Sequence, residues 1–267
     1  DETDQMITYM RTANSKVGAT DWYLRAGQSN ATGSRITSFN GTTTGFLSDR
    51  TRMYGYDGNF KDFVNPVADA TDSLYPVFDT SGNGLSFCGA ESFADYVGSR
   101  CPNQVGTVPA AQGGTDLHTD WARNESDHFD TTTLYGAMIT RVQEVIDAGE
   151  TFKGVTWQQG EADAADSRTQ TQYKADLITL INNFRTDTGL DIPWSIGVVS
   201  DNLPAGSFPT RTDIQAAQRE FAAEAVLANV FVADTADSTT FPTGADNIHY
   251  STTGYKAVGE EHGKNFV

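Results

Sequence analysis

The sequence predicts an α/β fold in which a parallel sheet is covered by helices on both faces. Strand-like and helix-like segments alternate along the chain from residue 22 to its end, and such alternation is typical of parallel β-strands joined by helical crossovers. Polar motifs follow directly on several predicted strands. Because the working residues of such sheets lie at the carboxyl ends of the strands, these motifs indicate where a site would form.

Each predicted strand is a short apolar run bounded by turn residues, and each predicted helix has apolar residues at a helical period. The clearest helix carries Leu134, Met138, Val142 and Val145 on one face and ends at Gly149. The predicted strands cover residues 22–26, 104–110, 152–157, 194–199 and 230–233. The predicted helices cover residues 90–97, 134–148, 173–184, 214–227 and 252–266.

A stretch rich in Gly, Asn, Asp and Thr interrupts this alternation at residues 32–84. It has little periodicity, which predicts long loops with room for short strands. The chain has 267 residues and neither an internal repeat nor a domain linker. We therefore predict a single domain over residues 1–267 with one buried core, and expect residues 32–84 to shape the substrate side of its cleft.

The charge of the chain argues against nucleic acid and membrane as partners. There are 35 acidic and 18 basic residues, a formal net charge of −17, and such a surface repels phosphate backbones and anionic lipid. No stretch approaches the roughly 18 consecutive apolar residues that a membrane-spanning helix requires. The polar start at Asp1 shows no signal peptide, and we expect a secreted protein from which one has been removed.

The two cysteines, Cys88 and Cys101, are too few for a disulfide framework or a cysteine-built zinc site. A predicted helix lies between them. About nine helical residues at about 1.5 Å each would hold the two thiols beyond the roughly 7 Å limit for a disulfide. We therefore expect both thiols to be buried and unbonded.

The first polar motif, Gly27-Gln28-Ser29-Asn30, follows the first predicted strand directly. A serine that follows a glycine turn at a strand end can present its hydroxyl together with backbone N–H groups. The motif is not a G-x-S-x-G nucleophile elbow, because Ala31 occupies the place of the last glycine. Taken alone, a turn serine that caps a helix explains the motif better than a nucleophile does.

A histidine with a nearby carboxylate precedes the last predicted helix. Asp246 stands three residues before His249, close enough to accept from the Nδ1–H of the ring and leave Nε2 to take a serine proton. By itself this D-x-x-H pattern also fits a metal ligand or a surface histidine.

Polar and glycine-rich segments follow two further predicted strands. Unpaired polar groups at buried strand ends cost about 1–3 kcal/mol each, so these side chains either bond to one another or face a cleft. The glycine at the start of the short helix predicted at residues 90–97 could aim its N–H into the same space. The segments are Trp157-Gln158-Gln159-Gly160-Glu161, Gln112-Gly113-Gly114-Thr115 with Trp121 nearby, and Gly89.

Taken in order, these motifs resemble the SGNH hydrolase superfamily. The likeness is to its sialate O-acetylesterase and acetyl-xylan esterase branch, carbohydrate esterase family six, over about residues 21–266. That branch has G-Q-S-N in place of G-D-S, a glycine before a short helix, G-G-T followed by tryptophan, W-x-Q-G-E, and D-x-x-H. The matching residues are Gly27 to Asn30, Gly89, Gly113 to Thr115 with Trp121, Trp157 to Glu161, and Asp246 with His249.

The resemblance implies a three-layer, flavodoxin-like sheet and the hydrolysis of acetyl esters on a polysaccharide or a sialic acid, without metal or cofactor. Ser29 would attack the ester carbonyl, and His249 would act as general base and then as general acid. The oxyanion would be held by the N–H groups of Ser29 and Gly89 and by the amide of Gln159. The residues expected to contact the substrate are Gln28, Asn30, Gly114, Thr115, Trp121 and Gln158.

Two carboxylates compete to orient His249. Asp246 is only three residues from the ring in sequence. Glu161 matches the carboxylate that some members of this branch use, so both are predicted site residues. The chain also departs from the branch in its penultimate helix, which often has an arginine three residues before a glutamine. Here those positions are Gln215 and Gln218, so a substrate contact by that arginine is not expected.

Three other functions fit parts of the pattern. A carbohydrate-binding or receptor-recognition module could keep the fold without the reaction. A lipase or thioesterase would need an extended apolar groove, which the polar loops argue against. A metal-dependent hydrolase could use His249, Asp246 and Glu161 as ligands, although no second paired histidine supports it.

Overall fold

The computed structural model describes residues 19–32, 51–54, 58–62, 78, 89–223 and 227–267. The strands in these ranges are β1 (Thr20–Gly27), β2 (Thr51–Tyr54), β3 (Phe60–Asp62), β4 (Gln104–Ala111), β5 (Thr151–Gln158), β6 (Trp194–Gly197) and β7 (Val230–Ala233). The helices are α1 (Ser29–Thr32), α2 (Ala90–Gly98), α3 (Leu134–Asp147), α4 (Glu161–Ala165), α5 (Gln170–Thr188), α6 (Arg211–Ala223) and α7 (Thr252–Lys264).

The strands form one sheet in the order β3-β2-β4-β1-β5-β6-β7. Six strands are parallel, and β3 joins β2 antiparallel at the edge. The run β4-β1-β5-β6-β7 has the flavodoxin order, with the first strand between its successors. This confirms the predicted parallel α/β fold. It also places the end of β1 at the point where the strand order reverses, which is where such sheets bind ligands.

Alternate residues of β1 face the two helical layers. Tyr23 packs edge-on against Phe93 of α2 and against Phe266 beyond α7, at ring distances of 5.1 and 5.2 Å. Trp22 and Leu24 point the other way, into the larger core that α3, α5 and α6 complete. Helices therefore cover both faces of the sheet, as the sequence predicts.

The helix boundaries follow capping side chains that the apolar period does not reveal. Helix α5 begins three residues before its predicted start because Thr169 and Gln172 form a capping box. The helix predicted at residues 214–227 is α6, which runs from Arg211 to Ala223, while residues 224–226 lie outside the described ranges. The short helices α1 and α4 were not predicted, since four or five residues give no measurable period.

The loop-rich region 32–84 lies mostly outside the described residues; β2, β3, Gly58, Asn59 and Phe78 are described within it. Its predicted role in shaping the cleft therefore stays a prediction. Cys88 is also outside the described ranges, so the predicted state of the two thiols stays open, while Cys101 is half-buried against the Tyr23 and Phe93 cluster. Among the described helices, none has the length and apolar character needed to cross a membrane.

Candidate active site

Ser29 follows the central strand on a turn that requires glycine at position 27. Gly27 has a φ of 133°, and a Cβ there would lie 2.1 Å from the carbonyl oxygen of Gln158. The N–H of Gln28 donates to the same oxygen at 3.0 Å, so the chain stays against β5 as it leaves β1. Ser29 then opens α1 at the switch point of the sheet.

The imidazole of His249 lies between a hydroxyl and a carboxylate. Its Nε2 is 3.0 Å from Ser29 Oγ, and its Nδ1 is 2.7 Å from Asp246 Oδ2. The other oxygen of Asp246 accepts the backbone N–H groups of Ile248 and His249, both at 3.0 Å. Asn247, at a left-handed φ of 58°, turns the loop so that the carboxylate reaches the ring.

Hydrogen bonds keep Asp246 ionised. Burial acts to raise the pKa of this carboxyl, but the bonds from the His249 ring and from two backbone N–H groups outweigh it and hold the pKa below its ordinary value of 3.8. A carboxylate that accepts from Nδ1 keeps the proton there, which leaves the lone pair of Nε2 directed at Ser29. This arrangement can take a proton from the serine hydroxyl.

Glu161, the second carboxylate predicted to orient His249, binds Asn30 instead. Its Oε1 accepts from Asn30 Nδ2 at 2.5 Å, while its Oε2 is buried with no hydrogen-bond partner among the described residues. Burial raises the pKa of Glu161 above its ordinary value of 4.5, against the bond from Asn30 and the attraction of His249. The two carboxylates thus have different partners: Asp246 contacts the His249 ring, and Glu161 contacts Asn30.

Gly89 lies beside the serine turn, where α2 and α7 touch through two glycines. Gly89 has a φ of 74°, and a Cβ on it would meet the carbonyl oxygen of Tyr255 at 2.5 Å. A Cβ on Gly259 would lie 2.1 Å from the carbonyl oxygen of Gly89. Gly89 and Asn30 line one small cavity of about 20 Å³, so the start of α2 borders the residue that follows Ser29.

The side chain of Gln159, predicted to hold the oxyanion, has its hydrogen-bond partners inside the protein. This side chain is fully buried. Its amide nitrogen donates to the Thr115 carbonyl at 3.1 Å and to a carboxylate oxygen of Asp163, and its oxygen accepts from the Tyr173 hydroxyl at 3.1 Å. Since an amide nitrogen has two hydrogens, none is left for a substrate. Gln159 instead joins the loops that follow β4 and β5.

Trp121 and Gln158, both predicted to contact substrate, have partners inside the protein. The Trp121 indole N–H donates to Thr115 Oγ1 at 3.1 Å, and its ring packs edge-on against Trp157 at 5.0 Å. Gln158 Oε1 pairs with His262 Nε2 at 3.1 Å, on the face of the sheet that α7 covers. The Trp121 N–H and Gln158 Oε1 are thus bonded within the protein, and the predicted substrate contacts of both residues stay predictions.

Asn30, also predicted to contact substrate, is 2% exposed and bonded within the protein through both side-chain polar atoms. Gln28 and Gly114 stay available to a substrate. The Gln28 oxygen accepts from the N–H groups of Gly160 and Ala162 at 3.3 and 3.2 Å, while its amide nitrogen has no hydrogen-bond partner among the described residues. Gly114 is exposed. Thr115, the remaining predicted contact, is buried and holds the Gln112 carbonyl.

Sequence reasoning missed three residues that hold the loop after β5. Gln218 Nε2 donates to the Gln159 carbonyl at 2.8 Å, and its Oε1 accepts the N–H of Val199 at 3.0 Å. Asp163 and Tyr173 bind the Gln159 amide. Burial raises the pKa of Asp163 to about 6 despite its bond from Gln159. The one available signal was Gln218, which matches the glutamine of the family's penultimate helix.

Comparison with known proteins decides the family. The model of a carbohydrate esterase family, described as sialic acid-specific acetylesterase, matches residues 19–267. The chain belongs to the sialic acid-specific acetylesterase family of carbohydrate esterases. This confirms the carbohydrate esterase family to which the motifs point, a family of acetylesterases and therefore of hydrolases of carboxylic esters.

Relatives of this esterase family agree with that assignment. A probable carbohydrate esterase of Arabidopsis thaliana is 29% identical over 165 residues, which is 60% of this chain and 56% of the relative. A solved Arabidopsis thaliana protein has a TM-score of 0.72 at 23% identity and covers 93% of this chain and 98% of its own. A carbohydrate acetylesterase from Xanthomonas citri has a TM-score of 0.62 at 18% identity, with 90% and 54% covered. These two likenesses confirm the predicted fold.

The described part of this carbohydrate esterase brings no three histidine, cysteine or acidic side chains together as a metal-binding group. In particular, His249 and Asp246 share a hydrogen bond, whereas Glu161 is turned towards Asn30. The set of three ligands considered from the sequence is therefore not assembled around a common point.

Proposed function

We propose that this protein is a carbohydrate O-acetylesterase that hydrolyses acetyl esters through Ser29, His249 and Asp246. The observation that carries the proposal is the continuous chain of hydrogen bonds from the Ser29 hydroxyl through both nitrogens of His249 to Asp246, at 3.0 and 2.7 Å. A hydroxyl, an imidazole and a carboxylate in this order form the constellation that activates a serine for acyl transfer.

Acylation begins when Ser29 Oγ attacks the acetyl carbonyl carbon and its proton passes to His249 Nε2. The tetrahedral intermediate then collapses, the bond from carbon to the sugar oxygen breaks, and His249 returns the proton to that oxygen. Asp246 accepts from Nδ1–H throughout and stabilises the imidazolium that forms between these two transfers. The products of this half-reaction are the deacetylated sugar and an acetyl ester on Ser29.

Deacylation repeats the chemistry with water as nucleophile. His249 Nε2 takes a proton from the water as its oxygen attacks the acetyl group on Ser29. The bond to Ser29 Oγ breaks, the proton passes to that oxygen, and acetate leaves. One acid–base group thus serves both half-reactions.

We assign the oxyanion to backbone N–H groups of Ser29 and Gly89, with the amide nitrogen of Gln28 as the side-chain donor. Gly89 borders the serine turn, and its left-handed conformation at the start of α2 fits a backbone donor at a helix N-terminus. Gln28 replaces Gln159 in this role because the hydrogens of the Gln159 amide are already used.

The substrate class within this proposal is an acetylated polysaccharide or sialic acid, as the family description suggests. We place the activity outside the cell, where such polymers are accessible and where an acidic surface of net charge −17 favours solubility. Acetate release from acetylated xylan and from O-acetylated sialic acid, measured side by side, identifies the substrate.

The function is tested with p-nitrophenyl acetate and the two acetylated carbohydrates. Wild type should turn over, and Ser29→Ala should lose more than about 10⁴-fold in kcat because no nucleophile is left. Ser99→Ala is the matched control, since Ser99 is exposed and bonds the Tyr96 carbonyl at 2.9 Å at the end of α2. It should retain the wild-type rate.

Two results would contradict the proposal. Equal turnover by wild type and Ser29→Ala would remove Ser29 from the mechanism. Binding of an acetylated glycan with no acetate release by wild type would instead support a recognition module that keeps the fold without the reaction.

A further inference from the structure

Asn30 uses its whole hydrogen-bonding capacity inside the protein. Its Nδ2 donates to Glu161 Oε1 at 2.5 Å and to the Ile248 carbonyl at 3.1 Å. Its Oδ1 accepts from the Tyr250 N–H at 3.2 Å and from the Tyr255 hydroxyl at 3.0 Å. An amide side chain offers two donors and one oxygen with two lone pairs, so all four positions are filled and Asn30 is fixed in one orientation.

Two of these bonds hold the residues on either side of His249. The Ile248 carbonyl and the Tyr250 N–H both bind the side chain that follows Ser29 directly in the chain. Ser29 Oγ and His249 Nε2 are 3.0 Å apart. This distance therefore depends on the Asn30 side chain, which binds the backbone on both sides of His249. The serine turn and the histidine loop are more than 200 positions apart in sequence.

Building on the proposed function, we propose that Asn30 and Glu161 form a positioning pair that sets the distance and angle between Ser29 and His249. Neither residue touches the reacting atoms. Asn30 bridges the serine turn and the histidine loop, and Glu161, from the start of α4, fixes which way the Asn30 amide faces.

Glu161 suits this task because of where its carboxylate stands. The Glu161 side chain is 2% exposed. Its ionised carboxylate can only accept hydrogen bonds, so the Asn30 atom that faces Oε1 has to be the donor Nδ2. If the Asn30 amide were reversed, its oxygen would face the Glu161 carboxylate and the Ile248 carbonyl, and its nitrogen would face two donors. Because buried groups that are mispaired in this way each cost about 1–3 kcal/mol, a single orientation is enforced.

Displacing the histidine loop should reduce catalysis more than binding. A misplacement of about 1 Å between reacting groups costs about 10²-fold in rate. Since both side chains are buried and bonded to the protein, the loss should appear in kcat, with KM within about threefold of wild type. A general loss of folded protein would lower the concentration of active enzyme, which titration of the reactive serine with an organophosphate measures.

The experiment compares Asn30→Ala and Asn30→Asp with Ser29→Ala and with a distant control of the same chemistry. Asn103→Ala is that control, because Asn103 also donates to a carboxylate, that of Asp21 at 3.1 Å, at the opposite end of the sheet. We expect about 10²-fold lower kcat per titrated serine for both Asn30 variants. Asn103→Ala should keep the wild-type kcat.

A compensating pair tests the contact itself. Asn30→Asp sets two carboxylates against each other, whereas Asn30→Asp combined with Glu161→Gln restores an amide facing a carboxylate, with donor and acceptor exchanged. The double variant should recover kcat at least about tenfold over Asn30→Asp, since a hydrogen bond to a charged group returns. Residual repulsion with the Ile248 carbonyl keeps it below wild type.

The outcomes separate the positioning pair from the proposed function. Wild-type kcat in both Asn30 variants, with Ser29→Ala inactive, would overturn the positioning pair and leave the esterase mechanism standing. Full activity of Ser29→Ala would overturn the mechanism. If Asn30→Ala does not fold, as judged by circular dichroism, the double variant decides: no recovery over Asn30→Asp would refute the pair.

Discussion

Asp246→Asn should change which nitrogen of His249 carries the proton and leave the shape of the histidine loop intact. The asparagine oxygen can still accept the backbone N–H groups of Ile248 and His249, now bonded at 3.0 Å. Its NH₂ group, however, replaces the oxygen 2.7 Å from Nδ1. The ring must then accept at Nδ1 and carry its proton on Nε2, so no lone pair faces Ser29 Oγ.

The expected loss in kcat is about 10⁴-fold, as the same change causes in a serine protease, or about 5 kcal/mol in transition-state stabilisation. Since the two turn bonds persist, the free energy of unfolding in urea should stay within about 1 kcal/mol of wild type. Stopped-flow or steady-state hydrolysis of p-nitrophenyl acetate measures the rate. A kcat within tenfold of wild type, in a variant shown to be folded, would refute the assignment of Asp246 as the group that orients the ring.

Three further predictions address the oxyanion, a buried charge and metal dependence. Gly259→Ala should lower kcat about 10²–10³-fold, as loss of one oxyanion donor does, because its Cβ would lie 2.1 Å from the Gly89 carbonyl oxygen and 2.2 Å from Ser92 Oγ; unchanged kcat would separate Gly89 from the oxyanion. Burial raises the pKa of Glu91 from 4.5 to about 7, although a hydrogen bond from its own N–H and the charge of Arg25 act to lower it. Between these two values the native state binds more protons than the unfolded state, so stability falls as pH rises through that window. Glu91→Gln should therefore be more stable than wild type at pH 8, by up to about 3 kcal/mol in urea unfolding, and the gain should vanish near pH 4; an equal effect at both pH values would contradict the buried charge. Dialysis against EDTA should leave esterase activity unchanged, whereas a loss that zinc restores would favour a metal-dependent hydrolase.

The sequence predicts those parts of the site that depend on short-range relations. Asp246 and His249 are three residues apart, so one turn at Asn247 brings them together. Ser29 is predictable because a glycine turn after a buried strand presents whatever follows it. The parallel sheet follows in the same way, since each strand and helix carries its own apolar period.

The remaining side-chain partners depend on contacts that no local pattern encodes. Gln159 and Asn30 are both polar residues at strand ends, which makes both candidates for substrate contact. Their actual partners, Thr115 at 44 residues' separation and Tyr255 at 225, are set by how loops and helices pack. Thr115 offers a backbone carbonyl there, a group that every residue type has and that a motif therefore cannot reveal.

Helix α7 holds the three groups that the proposed mechanism brings together, which are His249, the serine turn and Gly89. It begins three residues beyond His249, directly after Ser251, which caps it by accepting the N–H of Gly254 at 3.2 Å. One turn later the Tyr255 hydroxyl binds Asn30, and a further turn brings Gly259 against the start of α2.

Residues spaced by four lie on one face of a helix, and Tyr255 and Gly259 share the face of α7 that contacts Asn30 and Gly89. His249, the serine turn and Gly89 are therefore all held by one helix of 13 residues. Groups held on a rigid element keep reacting atoms in register better than groups on independent loops. A change that shifts α7 as a whole should therefore disturb His249, the serine turn and Gly89 at once. Loss of Asp246, in contrast, alters only the proton on the ring.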